Sequence, residues 1–259
     1  MVSITDDRGP GFLACSGILV FLALIVVGIR IYCRGTIRTH SGIKTGLGSD
    51  DYAMSIAMAF ALFGFVCNVY EVRNGKGRHS STLSRQQVSE AVKFGQLAQM
   101  QVLVGLYFAK LSIAFLMLRV AKRAMHMRFI VIVTYITTFL LTAVSIIVFV
   151  IWAIQCIPLE DLWKRPGKGR NCLDRHFVVH IVYLQSAVSL FTDLIFAVCP
   201  IYFTKNLQIA MSKKIALNVL MGLSLLTSAA GALKIVYLPD IEDTKDYTWD
   251  GINVSICAL

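Results

Sequence analysis

Long apolar runs and short charged segments alternate along the chain. A helix needs roughly 20 apolar residues to cross about 30 Å of hydrocarbon, and several runs reach that length. Each run is too long for a β-strand, and none shows the alternation typical of an outer-membrane barrel. The pattern therefore predicts an all-α fold, a polytopic bundle of transmembrane helices. The six predicted full spans cover residues 11–32, 52–70, 97–118, 129–152, 177–203 and 215–238.

The chain after the sixth run predicts a shorter seventh element. An acidic loop covers residues 240–250 and is followed by residues 251–259. A helix of that length rises about 14 Å, which is half the thickness of the hydrocarbon core. We therefore expect six full spans plus a truncated seventh, and we interpret residues 1–259 as a single integral membrane domain.

Composition and charge agree with a membrane protein. The chain is 56% hydrophobic and 15% charged, whereas a soluble domain is about 25% charged. A net charge of +10 favours nucleic-acid binding in a soluble protein, but here the charges lie in short clusters between apolar runs. We therefore expect the lipid bilayer as a partner and no nucleic acid. The sequence does not identify a protein partner.

The distribution of basic residues predicts the orientation. Four basic residues lie at the end of the first span and after it: Arg30, Arg34, Arg38 and Lys44. Cytoplasmic segments of membrane proteins carry an excess of Lys and Arg. We therefore expect a multi-pass protein of an endomembrane or the plasma membrane, with its N-terminus in the lumen or outside the cell.

Two ionisable residues lie inside the predicted spans at about the same depth. Lys110 is slightly past the middle of the third span and Asp193 is slightly past the middle of the fifth. Charges inside spans usually face a bundle interior. Helical spacing places Gln99 on the face of Lys110 and Ser189 on the face of Asp193. These four residues form a candidate internal polar site, which is either a structural ion pair or a site for a ligand or a proton.

A second group of polar residues lies near the outer ends of the spans. Lys234 is within reach of the outer interface by snorkelling, and Glu71 at the end of the second span is a candidate partner for it. Arg73 and His79 follow Glu71 into the same predicted outer loop. We interpret these four residues as candidates for an outer mouth of the bundle.

Two histidines near the same membrane face give a weak metal signal. His176 and His180 are four residues apart at the outer end of the fifth span, a spacing that can bind zinc. Polar residues at a membrane mouth show the same spacing without a metal. We therefore expect no metal site.

The chain has seven cysteines. Cys156 and Cys172 lie 16 positions apart in one predicted outer loop. If that loop faces an oxidising lumen or the exterior, these two residues should pair. A disulfide closing a loop of this length stabilises a fold by about 3 kcal/mol in the chain-entropy model.

Several short motifs follow one another in a fixed order. They are residues 48–52 and 71–79 around the second span, 109–112 in the third, 155–158 and 169–174 in the outer loop, and 192–194 in the fifth. In this order the chain resembles the fungal rhodopsin-domain family of seven-helix membrane proteins. That family includes Pth-type receptor-like proteins and membrane proteins of satratoxin-type biosynthetic gene clusters. The resemblance supports pairing of Cys156 with Cys172. The chain departs from the family at Ala109, where Thr is usual, and in its short seventh element.

The family name raises the question of a retinal chromophore. Light-driven rhodopsins carry retinal on a lysine of the last helix, and residues 251–259 contain no lysine. We therefore expect no retinal and no other cofactor. The sequence also lacks a Gly-rich phosphate loop and a Gly-x-Ser-x-Gly motif.

We interpret the protein as an accessory membrane protein of specialised metabolite biosynthesis that handles or converts a lipophilic small molecule. One alternative is a receptor-like seven-helix sensor without retinal, and a less favoured one is a transporter, for which no inverted repeat is visible. The pair of Lys110 and Asp193 fits acid–base catalysis as well as a scaffold. The sequence therefore leaves open whether the protein is an enzyme.

Overall fold

The computed structural model describes residues 8–41, 48–79, 83–122, 128–164, 172–206 and 222. The predicted sixth span, the short seventh element and Lys234 lie outside these residues. The described chain contains no β-strand, and its single isolated bridge joins Cys156 to Cys172. Its helices are α1 (Gly9–Ser41), α2 (Ser49–Arg73), α3 (Arg85–Lys122), α4 (Arg128–Ile154), α5 (Asp161–Lys164) and α6 (Arg175–Asn206).

The predicted helical membrane bundle is confirmed. Within the described residues, five helices are long and apolar enough to cross a membrane. They coincide with the first five predicted spans, the fifth span being α6. The candidate membrane-spanning stretches are Gly9–Thr36, Ser49–Arg73, Arg85–Arg119, Arg128–Ile154 and His176–Cys199.

Helix α3 is the central element of the described bundle. It packs against α2, α4 and α5, while α1 packs on α2 and α4 packs on α6. Its 38 residues rise about 57 Å, more than the hydrocarbon core is thick. Its N-terminus is capped, because Ser84 N–H donates to Gln87 Oε1 at 2.9 Å and Gln87 N–H donates to Ser84 Oγ at 3.3 Å.

Small residues allow α2 and α3 to pack closely. Gly64 of α2 lies so close to the side chain of Gln101 that a Cβ would overlap with it. On α3, an added Cβ at Gly105 would lie 3.6 Å from Phe60 Cβ. Close backbone approach through small residues is typical of helix pairs in membranes. Lipid tails are as apolar as the helix surfaces, so close packing rather than the hydrophobic effect holds the helices together.

The apolar core lies where α3, α4 and α6 meet. It contains Ala114 and Met117 of α3, Ile130 of α4 and Phe196 of α6. Large apolar side chains elsewhere point outward, for example Phe21 of α1 and Phe139 of α4, which are 62% and 77% exposed. These outer faces fit contact with lipid chains rather than water.

The ends of the described helices lie at two opposite ends of the bundle. One end holds the last part of α1, the start of α2 and the last part of α3; we call it the arginine end, after Arg30, Arg34 and Arg119. The other end holds the turn after α2 and the disulfide, and we call it the disulfide end. The predicted disulfide is confirmed there, since Cys156 is bonded to Cys172. Leu173 N–H also donates to Gln155 O at 2.8 Å.

Candidate functional site

Lys110 lies in the interior between α3 and α6. Its Nζ is 2.8 Å from Asp193 Oδ2, 2.7 Å from Ser189 Oγ, 2.8 Å from Ser189 O and 3.2 Å from Thr192 Oγ1. The side chains of Lys110 and Asp193 are only 9% and 4% exposed. The structure thus places three of the four residues of the predicted polar site, Lys110, Asp193 and Ser189, in direct contact.

The spacing along α6 explains this arrangement. Ser189, Thr192 and Asp193 are three and four positions apart, so their side chains share one face of the helix. Thr192 Oγ1 also donates to Ser189 O at 2.8 Å, which orients its oxygen toward the ammonium group. An ammonium group has three N–H donors, and four oxygens surround this one. The charge of Lys110 is therefore paired and its donors are satisfied by α6.

Other polar side chains lie on the same face of α3 toward the disulfide end. Tyr107 Oη is 3.2 Å from Thr142 Oγ1 of α4, and Gln155 Nε2 donates to Gln96 Oε1 at 3.3 Å. Gln99 is half-buried on α3, but eleven residues separate it from Lys110, which is about 16 Å along the helix. Gln99 therefore lies well away from the ion pair, nearer the disulfide end.

We call this face of α3 the polar column, defined by Gln96, Gln99, Tyr107 and Lys110. It begins beside the disulfide-linked segment and ends at the ion pair with Asp193. Its side chains are amides, a phenol and an already neutralised ammonium group. The amides and the phenol can donate hydrogen bonds to hydroxyl and carbonyl groups of a ligand, and they can accept hydrogen bonds from its hydroxyl groups.

A larger ionic cluster occupies the arginine end. Asp50 and Asp51, in the first turn of α2, are both fully buried as side chains. Arg30 donates to Asp51 Oδ1 at 3.1 Å and to Asp50 Oδ2 at 2.9 Å. Arg34 donates to Asp50 Oδ2 at 2.5 Å and to Asp51 Oδ2 at 2.7 Å. Four charge-assisted contacts therefore join α1 to α2.

Helix α3 completes this cluster, which we call the arginine cluster: Arg30, Arg34, Arg119, Asp50 and Asp51. Arg119 Nη2 lies 2.6 Å from Asp50 Oδ1, a contact that lacks the alignment of a hydrogen bond. Ser112 Oγ donates to Asp50 O at 2.7 Å. A Cβ at Gly48 would overlap with the Arg119 guanidinium group, so glycine is needed at that position for close approach.

The arginine cluster was not predicted as a site from the sequence. Arg30 and Arg34 served only as evidence for orientation, and Asp50 and Asp51 only as part of a family motif. One signal was available in the sequence. Two adjacent acids open an apolar run, and two arginines four positions apart close the preceding run. Helices joined by a short loop bring these segments to the same membrane depth.

Of the four candidate outer-mouth residues, the structure describes Glu71, Arg73 and His79. Glu71 is buried and its Oε2 lies 2.7 Å from Lys76 Nζ. The predicted partner, Lys234, lies outside the described residues. Among the described residues, Lys76 in the turn after α2 pairs with Glu71. Arg73 is exposed at the end of α2, and His79 is half-buried after the turn. Gly75 and Gly77 have φ angles of 104° and 98°, which allows the turn to place Lys76 over Glu71.

The structure describes both histidines of α6, the residues that gave the weak metal signal in the sequence. His180 Nδ1 lies 2.6 Å from His176 O, within the same helix, and both residues are exposed. No group of three or more His, Cys, Asp or Glu residues suited to a metal occurs among the described residues.

The ion pair between α3 and α6 gives a first testable prediction. Lys110→Met and Asp193→Asn should each destabilise the fold by about 3–5 kcal/mol, because each leaves one buried charge without its partner. The double variant should recover part of this loss. Thermal unfolding of the purified proteins in a neutral detergent measures the effect. The matched control is Lys93→Met, whose exposed pair with Glu90 at 3.6 Å should contribute little. A double variant as unstable as the sum of the singles would contradict the pairing.

Gly48 gives a second prediction. Gly48→Ala should displace the Arg119 guanidinium group from Asp50 and lower stability by about 1 kcal/mol, the contribution of a partly exposed charged contact. The control is Gly28→Ala in α1, where an added Cβ meets no atom within 4 Å. That variant should be neutral or slightly stabilising, since alanine favours helices. Equal thermal stabilities of the two variants would show that Gly48 is not constrained by Arg119.

Comparison with known proteins places this bundle in a family. Neither a curated protein nor a solved structure matches the chain. The sequence profile of the fungal rhodopsin domain matches residues 29–259, which include the basic end of α1 and all of α2 to α6. The chain therefore belongs to the fungal rhodopsin domain family, and it is a receptor-like, multi-pass membrane protein.

Proposed function

We propose that this protein handles a lipophilic small molecule of specialised metabolism inside its membrane bundle. The polar column of α3 is the observation that carries the proposal. Polar side chains within a membrane-spanning helix are costly unless they serve packing or function. Those of the column extend for about 21 Å from Gln96 to Lys110, which is more than a single helix contact requires.

The contacts of Lys110 favour binding over catalysis. A general acid or base must exchange a proton with its substrate, whereas the Lys110 ammonium group is surrounded by four oxygens of α6. The amide and hydroxyl groups nearer the disulfide end have weaker contacts, at 3.2 and 3.3 Å. These groups are the ones that a ligand can engage without breaking an ion pair.

A receptor-like sensor is the second candidate, and membership of the fungal rhodopsin domain family favours it. The same polar column serves both functions, since a carrier and a sensor each need a ligand site within the bundle. The two functions differ in the consequence of binding. A biosynthetic role changes the flow of metabolites directly, whereas a sensor changes transcription first.

Deletion of the gene in the native host tests the proposal. Lipophilic extracts of the deletion strain should lose one metabolite or accumulate its precursor, as measured by mass spectrometry. Transcripts of the corresponding biosynthetic genes should be unchanged. A matching fall in these transcripts would indicate the sensor instead, and an unchanged metabolite profile would contradict both functions.

Complementation with single variants connects the metabolite to the polar column. Tyr107→Phe removes the hydroxyl group that contacts Thr142 and retains the ring, so metabolite levels should fall severalfold at matched protein level. The control is Tyr52→Phe, because Tyr52 is exposed at the arginine end. Full complementation by Tyr107→Phe would remove Tyr107 from the proposed site.

We also propose that the arginine end faces the cytosol and the disulfide end the lumen or exterior. The disulfide supports this, because such bonds persist in oxidising compartments. The basic residues near the opposite end follow the positive-inside rule. Arg85 and Arg128 are exposed at the starts of α3 and α4, and these helices begin at opposite ends of the bundle.

Cysteine labelling tests this orientation. In sealed endoplasmic reticulum microsomes, whose outer surface is cytosolic, a membrane-impermeant maleimide should label Arg128→Cys. It should label Arg85→Cys only after permeabilisation. The unaltered chain provides the background from its native thiols. The reverse labelling pattern would invert the orientation and leave the disulfide on the cytosolic side.

A further inference from the structure

The arginine cluster carries an excess of positive charge. Arg30, Arg34 and Arg119 contribute three positive charges, and Asp50 and Asp51 contribute two negative charges, so the net charge is +1. The carboxylates are fully buried beside apolar helices. A surplus charge at the edge of a low-dielectric region favours the binding of a counter-ion.

The arginines also retain hydrogen-bonding capacity. A guanidinium group has five N–H donors, of which Arg30 and Arg34 each use two on the aspartates. The Nη1 of Arg30 and the Nε and Nη2 of Arg34 have no partner among the described residues. For Arg119, the described partner is Asp50, through Nη2. These spare donors belong to the residue type that best recognises phosphate in a bidentate fashion.

Exposure within the cluster shows from which side a ligand can approach. The side chains of Arg30, Arg34 and Arg119 are 19%, 26% and 33% exposed, whereas both aspartates are 0% exposed. An approaching anion therefore meets the outer edges of the guanidinium groups and does not meet the carboxylates. The aspartates fix the arginines from behind, which reduces the side-chain entropy lost on binding.

Two tyrosines indicate the depth of the cluster in the membrane. Tyr32 lies between Arg30 and Arg34 on α1, and Tyr52 follows Asp51 on α2. They are 74% and 62% exposed. Exposed tyrosines at the ends of spans are typical of the level of lipid headgroups. The guanidinium edges therefore lie where phosphate groups of the bilayer are concentrated.

From these observations we propose that the arginine cluster binds the phosphate group of an anionic lipid headgroup. Basic pockets between transmembrane helices bind anionic headgroups in this way. The phosphate neutralises the surplus charge and uses the spare donors of the three arginines. It thereby joins α1 and α3 on the side opposite to the aspartates. This site is separate from the polar column and does not depend on its function.

Titration of the purified protein in neutral detergent tests the proposal. Dioctanoyl phosphatidic acid supplies the phosphate with acyl chains, dioctanoyl phosphatidylcholine supplies chains with a zwitterionic headgroup, and sodium phosphate supplies the anion alone. At saturation, phosphatidic acid should raise the Tm by about 5 °C, and phosphatidylcholine should have no effect. An equal shift with the two lipids, or no shift with any probe, would overturn the proposal.

The inorganic phosphate titration identifies the source of the phosphate. If phosphatidic acid binds and sodium phosphate at matched ionic strength does not, the ligand is a lipid. If sodium phosphate alone raises the Tm and phosphatidic acid does not, the lipid assignment is wrong and the site takes a soluble anion. These measurements use the unaltered protein, so they decide the proposal even if a variant fails to fold.

Variants then connect the effect to the cluster. Arg119→Gln removes the most exposed guanidinium group and the surplus charge, and should weaken phosphatidic acid binding about tenfold. Arg119→Lys retains the positive charge but lacks the planar guanidinium group, and it should bind more tightly than Arg119→Gln and more weakly than the unaltered protein. Arg128→Gln, an exposed arginine at the same end, is the control and should bind as tightly as the unaltered protein. An equal loss in Arg119→Gln and Arg128→Gln would show a nonspecific charge effect and contradict the assignment.

Discussion

A charge that enters the membrane core must find an opposite charge inside the protein. The loss of hydration is larger than any single contact can offset, so each buried ionisable group constrains which helices are neighbours. In the described part of the chain, such pairs occur in three places. The arginine cluster joins α1, α2 and α3, the pair of Lys110 and Asp193 joins α3 and α6, and the pair of Glu71 and Lys76 closes the turn after α2.

Helix α3 contributes a charged residue in two of these three places, which explains its central position. Helix α4 is held differently, because its polar residues are threonines rather than charged groups. Thr134, Thr138 and Thr142 each donate to the carbonyl group four residues before them. This pattern satisfies the hydroxyl groups within the helix and leaves Thr142 Oγ1 able to accept a hydrogen bond from Tyr107. Helix α4 is therefore attached by packing and weak polar contacts.

Much of the fold and part of the candidate site could be predicted from the sequence. Run lengths indicated the membrane-spanning helices, because the thickness of the hydrocarbon core fixes their minimum length. The contact between Lys110 and Asp193 could be expected, since both residues lie at the same depth and isolated charges are rare there. The role of Asp50 and Asp51 is harder to predict, because acidic residues at the start of a span are also typical of the membrane–water interface. The contact of Glu71 with Lys76 could not be predicted, because a glycine turn returns Lys76 over Glu71 and such a turn leaves no periodic signal.

The charge balance of the two proposed sites determines the ligands that each can accept. Lys110 and Asp193 together are neutral, so an anionic ligand gains little from the polar column and loses its own hydration. A neutral lipophilic molecule with hydroxyl or carbonyl groups avoids that cost and can use the amides and the phenol. The arginine cluster has the opposite preference, because its surplus charge and spare donors favour an anion. The two proposed sites would therefore favour different ligand chemistry within one bundle. Helix α3 contributes to both, through Lys110 and Arg119, which lie nine residues apart.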